Sequence, residues 1–154
     1  MQFAVHARGF QDEQLVPAQY TCDGANHSPA IGWEGAPPKT MSYALILDDP
    51  DAPGRTWTHW LLWDIPADTS SLAEACRPKP PVLSGINDFG RHGYGGPCPP
   101  QGHGLHRYFV RLYALDVPTL SLPEDAHRRE LERAMQPHLL ASASCHGVYE
   151  RRGE

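Results

Sequence analysis

Apolar and polar positions alternate along this chain in short stretches, each closed by a turn. Met41 to Leu47 is a compact apolar run cut off by Asp48-Asp49-Pro50-Asp51-Ala52-Pro53-Gly54, which predicts a buried strand entering a tight acidic turn. Thr58 to Ile65 alternates, with His59, Leu61, Trp63 and Ile65 on one face and Trp60, Leu62 and Asp64 on the other. His106 to Leu115 does the same. His106, Tyr108, Val110, Leu112 and Ala114 share one side, and Arg107, Phe109, Arg111 and Tyr113 the other. One segment has helical spacing: from Ala126 onward, Leu131, Ala134, Met135, His138 and Leu139 fall at i, i+3, i+4, i+7, i+8. Ser121 with Glu124, or Asp125, is placed to start it, and Pro137 to interrupt it near its end. Ser142 to Arg151 reads as a last short strand. The expectation is a mainly β domain, β-rich α+β with antiparallel sheets and one helix near the C-terminus.

Composition supports that picture. Gly 14 and Pro 16 make 30 of 154 residues, about 19%, against roughly 12% on average. So many breakers exclude a helical bundle or coiled coil. The length suits one domain spanning residues 1–154. The formal charge is -5 and no face concentrates Lys and Arg, which argues against nucleic acid as a partner. No run approaches the ~18 apolar residues of a membrane span. Met1 to Phe10 lacks a secretory pattern, so the chain is read as cytoplasmic. Cys22, Cys76, Cys98 and Cys145 contain no C-x-x-C pair. Free thiols are then the default, although Cys22 and Cys98 both lie in Gly/Pro-rich loops and a bridge between them stays open.

Two loops are unlike ordinary connections. Asp48 to Pro53 places three carboxylates in four residues, with prolines at positions 50 and 53 that stiffen the backbone. In Asp88 to Gly104, nine of 17 residues are Gly or Pro, which allows a ligand to approach the backbone closely. His59 lies just inside the strand after the first loop, and His106 opens the strand after the second. If those strands are neighbours, both loops and both imidazoles meet at one end of a sheet. Cys98, His103 and His106 offer mixed metal ligands, but on an extended strand His103 and His106 point to different faces, and no metal site or cofactor is expected. No G-x-S-x-G elbow or partnered serine is present, so no catalytic residue is assigned.

Taken in order, these segments carry a resemblance. Tyr20-Thr21-Cys22-Asp23-Gly24, Asn26 with Ser28-Pro29, Trp33, the Asp48–Pro53 turn and Thr58-His59-Trp60 are followed by Asn87-Asp88-Phe89-Gly90. Gly93 to Pro100, Gly102-His103-Gly104 and His106-Arg107-Tyr108 complete the series. The chain resembles the phosphatidylethanolamine-binding proteins, specifically their short bacterial, Raf-kinase-inhibitor-like branch. The resemblance implies two antiparallel sheets packed together and an anion pocket lined by Asp49, Asp51, His59, His106 and Tyr108. Backbone from Gly96 to Pro100, with Gly96 and Pro99 as named contacts, completes the lining. It implies a ligand such as phosphate, acetate or a phosphoethanolamine-like phospholipid head group. Carboxylates beside the imidazoles should hold His59 and His106 protonated near neutral pH, while Arg107 braces Asp49 or Asp51 from behind. With no Lys or inward Arg, binding should be weak. The leading expectation is a small-ligand-binding protein, with regulatory or scaffold use. The alternative is a kinase or protease inhibitor working through a protein partner. A hydrolase pairing Asp49 or Asp51 with His106 comes third. Only five residues separate Pro53 from His59 and the chain ends soon after Tyr149. Both differ from the eukaryotic relatives, so kinase inhibition does not carry over. A homodimer stays open.

Overall fold

The computed structural model describes residues 2–152. Among these residues eight strands form two antiparallel sheets, and one α-helix packs beside them. Strands β1 (Ala4–Ala7), β2 (Ile31–Glu34) and β5 (Ser71–Leu72) form a small sheet in the order β1-β2-β5. The larger sheet contains β3 (Ser42–Asp49), β4 (Trp57–Pro66), β6 (Leu83–Ser84), β7 (His106–Leu115) and β8 (Leu139–Tyr149). Its order is β6-β4-β3-β7-β8. β3 is therefore central, flanked by the two strands that carry His59 and His106. Among the described residues no helix is long and apolar enough to cross a membrane.

Both faces of the larger sheet are covered, which explains why β3 is buried along its whole length. Leu45, Leu47, Trp60, Leu62, Val110 and Leu112 pack against Val5, Ile31 and Trp33 of the small sheet. On the opposite face Ala44, Ile46, Leu61 and Trp63 meet Leu131 and Met135 of helix α1 (Arg128–Met135). The β7 alternation is as expected from the sequence, with Val110, Leu112 and Ala114 all on the inter-sheet side.

The β4 alternation is not. Leu47 pairs with Trp60 but Asp48 pairs with Thr58, so a bulge absorbs His59. A second irregularity lies between the Tyr43 and Leu45 pairs, where Asp64 takes φ 58°. His59 consequently faces the Trp60 and Leu62 side, where its ring meets that of Tyr108 at 5.4 Å, rather than that of Leu61 and Trp63, and Ile65 returns to the inter-sheet core.

The helix is shorter than its periodicity suggested. It starts at Arg128, after His127, whose backbone N–H donates to Glu130 Oε1 at 2.9 Å. Neither Ser121 nor Asp125 caps it. Pro137 converts the last turn into a 3-10 turn over Gln136–His138, and Leu139 already belongs to β8. Cys22 and Cys98 are joined in a disulfide with Cα atoms 5.4 Å apart, which corrects the expectation of free thiols at this pair. Cys76 and Cys145 are free.

Candidate functional site

Successive side chains at the end of β3 point to opposite faces, and this divides the acidic turn into different roles. Asp48 turns toward α1, fully buried, where Arg111 Nε and Arg128 Nη1 donate to its Oδ2 at 2.9 and 2.7 Å. Asp49 turns the other way, and His106 Nδ1 meets its Oδ2 at 2.6 Å. The second oxygen of Asp49 accepts the backbone N–H of Asp51 at 2.8 Å, so the turn is tied to the carboxylate it presents. Asp51 is held by Arg107 through the Nε, Nη2 and backbone N–H groups, each at 2.9 Å. The guanidinium keeps the Asp51 carboxyl down at about 2. Arg107 thus braces Asp51 from outside the cleft, as its outward side of β7 predicts.

Between these elements lies a cleft of about 200 Å³. Asp49, His59, His106 and Tyr108 contribute its polar groups. Ala52 and Pro53 of the acidic turn, Trp57 and Phe89 form apolar walls, and Cys98, Pro99 and Pro100 close one side. Phe89 was not among the sequence-predicted residues, yet it packs edge-on against both Trp57 and His59, with centroids at 5.5 and 5.4 Å. Asn87 sets it there: its side-chain oxygen accepts the N–H of Phe89 while its amide donates to Gly93 O. The Asn87-Asp88-Phe89-Gly90 segment was the sequence signal for this wall.

Two expected residues lie outside the lining. Asp51 faces Arg107. Gly96 serves the backbone: its N–H donates to Asn26 Oδ1 at 2.9 Å, and a Cβ there would collide with the Tyr20 carbonyl. Two larger grooves, about 520 and 540 Å³, run along the margin between β1 and β8. They lack the converging buried acid and imidazoles of the smaller cleft.

The electrostatics correct one expectation. His59 is buried, and its Nδ1 lies 2.6 Å from Gly95 O, an atom that only accepts. Nδ1 therefore carries the hydrogen and Nε2 is left for the cleft. Burial lowers the His59 pKa, outweighing the Gly95 bond and the nearby carboxylates that raise it. The imidazole is held neutral, with Nε2 an acceptor, rather than protonated. Tyr108 is 2% exposed. Its hydroxyl makes no well-formed protein hydrogen bond; burial first, then the charge and the approach of the Asp49 carboxylate, drive its pKa up. It is a neutral donor in search of an acceptor.

His103 and His106 do not point apart. Gly104 takes φ 94° and turns the chain, so that His103 Nδ1 lies 2.6 Å from His106 Nε2. The extended geometry assumed for this pair starts only at His106. Among the described residues no cluster of three His, Cys, Asp or Glu groups is arranged to hold a metal.

Residues 6–150 match the family model for phosphatidylethanolamine-binding protein. An Aquifex aeolicus protein named only as UPF0098 is 52% identical over 96% of this chain and 88% of its own length. A UPF0098 protein of Methanothermobacter thermautotrophicus is 46% identical, covering 98% and 99%. The crystal structure of a phosphatidylethanolamine-binding protein homologue from Chlamydia trachomatis matches with TM-score 0.90 and 33% identity over 97% of each chain. Escherichia coli YbcL, described as a member of the mammalian family, matches with TM-score 0.92 and 29% identity, covering 99% and 100%.

Proposed function

Because the chain belongs to the phosphatidylethanolamine-binding protein family, we propose that its cleft binds a small oxyanion. The class includes inorganic phosphate, a carboxylate such as acetate, and the phosphoryl group of a phosphoethanolamine-like head group. The Tyr108 hydroxyl carries this reading, since it is buried, unpartnered and part of the cleft wall. A buried donor without an acceptor costs free energy that a bound oxygen recovers.

The other polar groups refine the ligand. Both oxygens of Asp49 and the whole of Asp51 are engaged by protein donors. They position the site, and neither is the acidic patch that would receive an amine. With His106 Nε2 engaged by His103, the cleft nitrogen left free to accept from a ligand is His59 Nε2. A phosphate that still bears a hydrogen satisfies Tyr108 and His59 together, one through an acceptor oxygen and one through its OH. For a zwitterion, the ring faces of Trp57 and Phe89 offer the place for the ammonium. Binding rather than turnover is the proposed role. Isothermal titration with inorganic phosphate, acetate and phosphoethanolamine tests it and ranks the three. The expected result is saturable one-site binding that His106→Ala abolishes. Binding that survives both His59→Ala and His106→Ala places the ligand elsewhere. Phosphate and acyl esters should be returned unchanged.

A further inference from the structure

His106 has two ring nitrogens, and both are occupied. Nδ1 is committed to Asp49 at 2.6 Å, in a pair whose members are 2% and 4% exposed. Nε2 is committed to His103 at 2.6 Å. Whichever of the two histidines supplies the shared hydrogen, the His106 atom is engaged. A ligand that uses His106 must therefore take Nε2, the one nitrogen not tied to the scaffold, and must take it from His103.

We propose that His103 is a gate residue: its imidazole occupies the oxyanion's place on His106 and swings away when the ligand binds. This rests on the oxyanion reading above and adds how that site is controlled. The local structure allows the motion. Gly102 and Gly104 flank His103, both at positive φ (76° and 94°). The backbone itself is held, since Gly102 N–H donates to Arg151 O at 2.7 Å and His103 N–H to Pro100 O at 3.1 Å. His103 is exposed whereas His106 is 2% exposed. The exposed ring can turn into water by side-chain rotation, while the buried one, fixed by Asp49, cannot follow. The imidazole that leaves exchanges its bond to His106 for bonds to water, and the ligand replaces it on Nε2. The cleft thereby keeps its buried acceptor or donor satisfied in both states, which an unguarded His106 would not.

A gate and a brace predict opposite signs. Removing a competitor worth one hydrogen bond should tighten phosphate binding. The His103→Ala protein is expected to bind inorganic phosphate several-fold to about tenfold more tightly. A residue that merely braces His106 would, on removal, weaken binding. His103→Asn is the rescue variant. Its side-chain amide occupies the place of the ring Nδ1, can engage His106 Nε2, and should return the affinity to the parent value. In the parent protein, saturation with phosphate should shift the His103 ring resonances to those of a solvent-exposed imidazole. Unchanged or weaker binding by His103→Ala, or His103 resonances that ignore phosphate, would overturn the gate while leaving a His106-dependent pocket standing. Absence of phosphate binding in the parent protein, or binding that His106→Ala leaves intact, would overturn the pocket reading and the gate with it.

Discussion

Tyr108 is where a single atom separates binding from folding. Replacing it with Phe removes the hydroxyl and little else. In the free protein that hydroxyl is buried without a partner, so its loss should leave thermal stability unchanged or slightly raised. On the oxyanion reading proposed above it donates to the ligand in the complex, and its loss should weaken phosphate binding by about tenfold, the value of one donor to a charged acceptor. A variant that binds as well as the parent would remove Tyr108 from the site. His59 makes a pH prediction at the same scale. Its folded pKa lies below the ordinary value of 6.5 because it is buried. The unfolded chain therefore binds a proton at a higher pH than the folded protein does. Stability from this group is complete above about 6.5 and falls as pH drops through that value toward the lower folded one. Affinity for an oxyanion should move the other way, rising once His59 Nε2 gains its hydrogen. Denaturant midpoints and phosphate titrations from pH 7.5 to 5 check both slopes, and His59→Gln should flatten them.

Among the elements, β3 does most to build the site, because its last two residues face opposite ways. Asp48 ties the sheet to α1 through Arg111 and Arg128, whose side chains are 30% and 24% exposed around a carboxylate that is 0% exposed. Asp48→Ala should cost about 3 kcal/mol in chemical denaturation, as for other broken buried pairs. Leu131→Ala, on the helix side of the same layer, should cost a comparable 2–5 kcal/mol, roughly, by leaving a cavity. Both variants should keep their affinity for phosphate, since neither residue touches the cleft. The sequence made β3, β7 and the meeting of the two loops legible through apolar runs and period-two alternation. It could not show the bulge at His59, because a bulge depends on which residue of the neighbouring strand is opposite, and one strand's alternation carries no such information. The His103–His106 contact was hidden for a related reason. Spacing of three reads as opposed faces only while the chain stays extended, and Gly104 permits a left-handed turn that the pattern does not record. The sign of the His59 pKa shift also needed the structure. Three nearby aspartates argue for a raised value until the depth of burial is known, and here depth wins.

On the scale of the whole molecule, the Cys22–Cys98 bond separates what holds the fold from what holds the ligand. It joins positions 76 residues apart and clamps the loop after residue 20 to the Gly/Pro-rich wall. Cys22 N–H also donates to Pro97 O across the same junction, at 3.1 Å. Arg151, beyond β8, adds to this clasp by pairing with Asp23 at 3.3 Å. Closing a loop of that length constrains the unfolded chain by roughly 4 kcal/mol on the chain-entropy account. For a domain of this size that corresponds to a melting temperature lower by roughly 10 °C when the bond is absent. The groups proposed to meet the ligand lie elsewhere: His106 and Tyr108 on β7, paired with Tyr149 and Gly147 of β8, and His59 in the β4 bulge between Thr58 and Trp60, which pair with β3. Cys98 offers the cleft only part of its wall. The Cys22→Ser/Cys98→Ser protein, or the parent reduced with dithiothreitol, should therefore melt earlier yet bind phosphate within a few-fold of the oxidised parent at 25 °C. Scanning calorimetry and phosphate titration on the same samples test the separation. A large loss of affinity at a temperature where the reduced protein is still folded would mean that the Pro97–Pro100 wall, rather than the sheet end, positions the ligand.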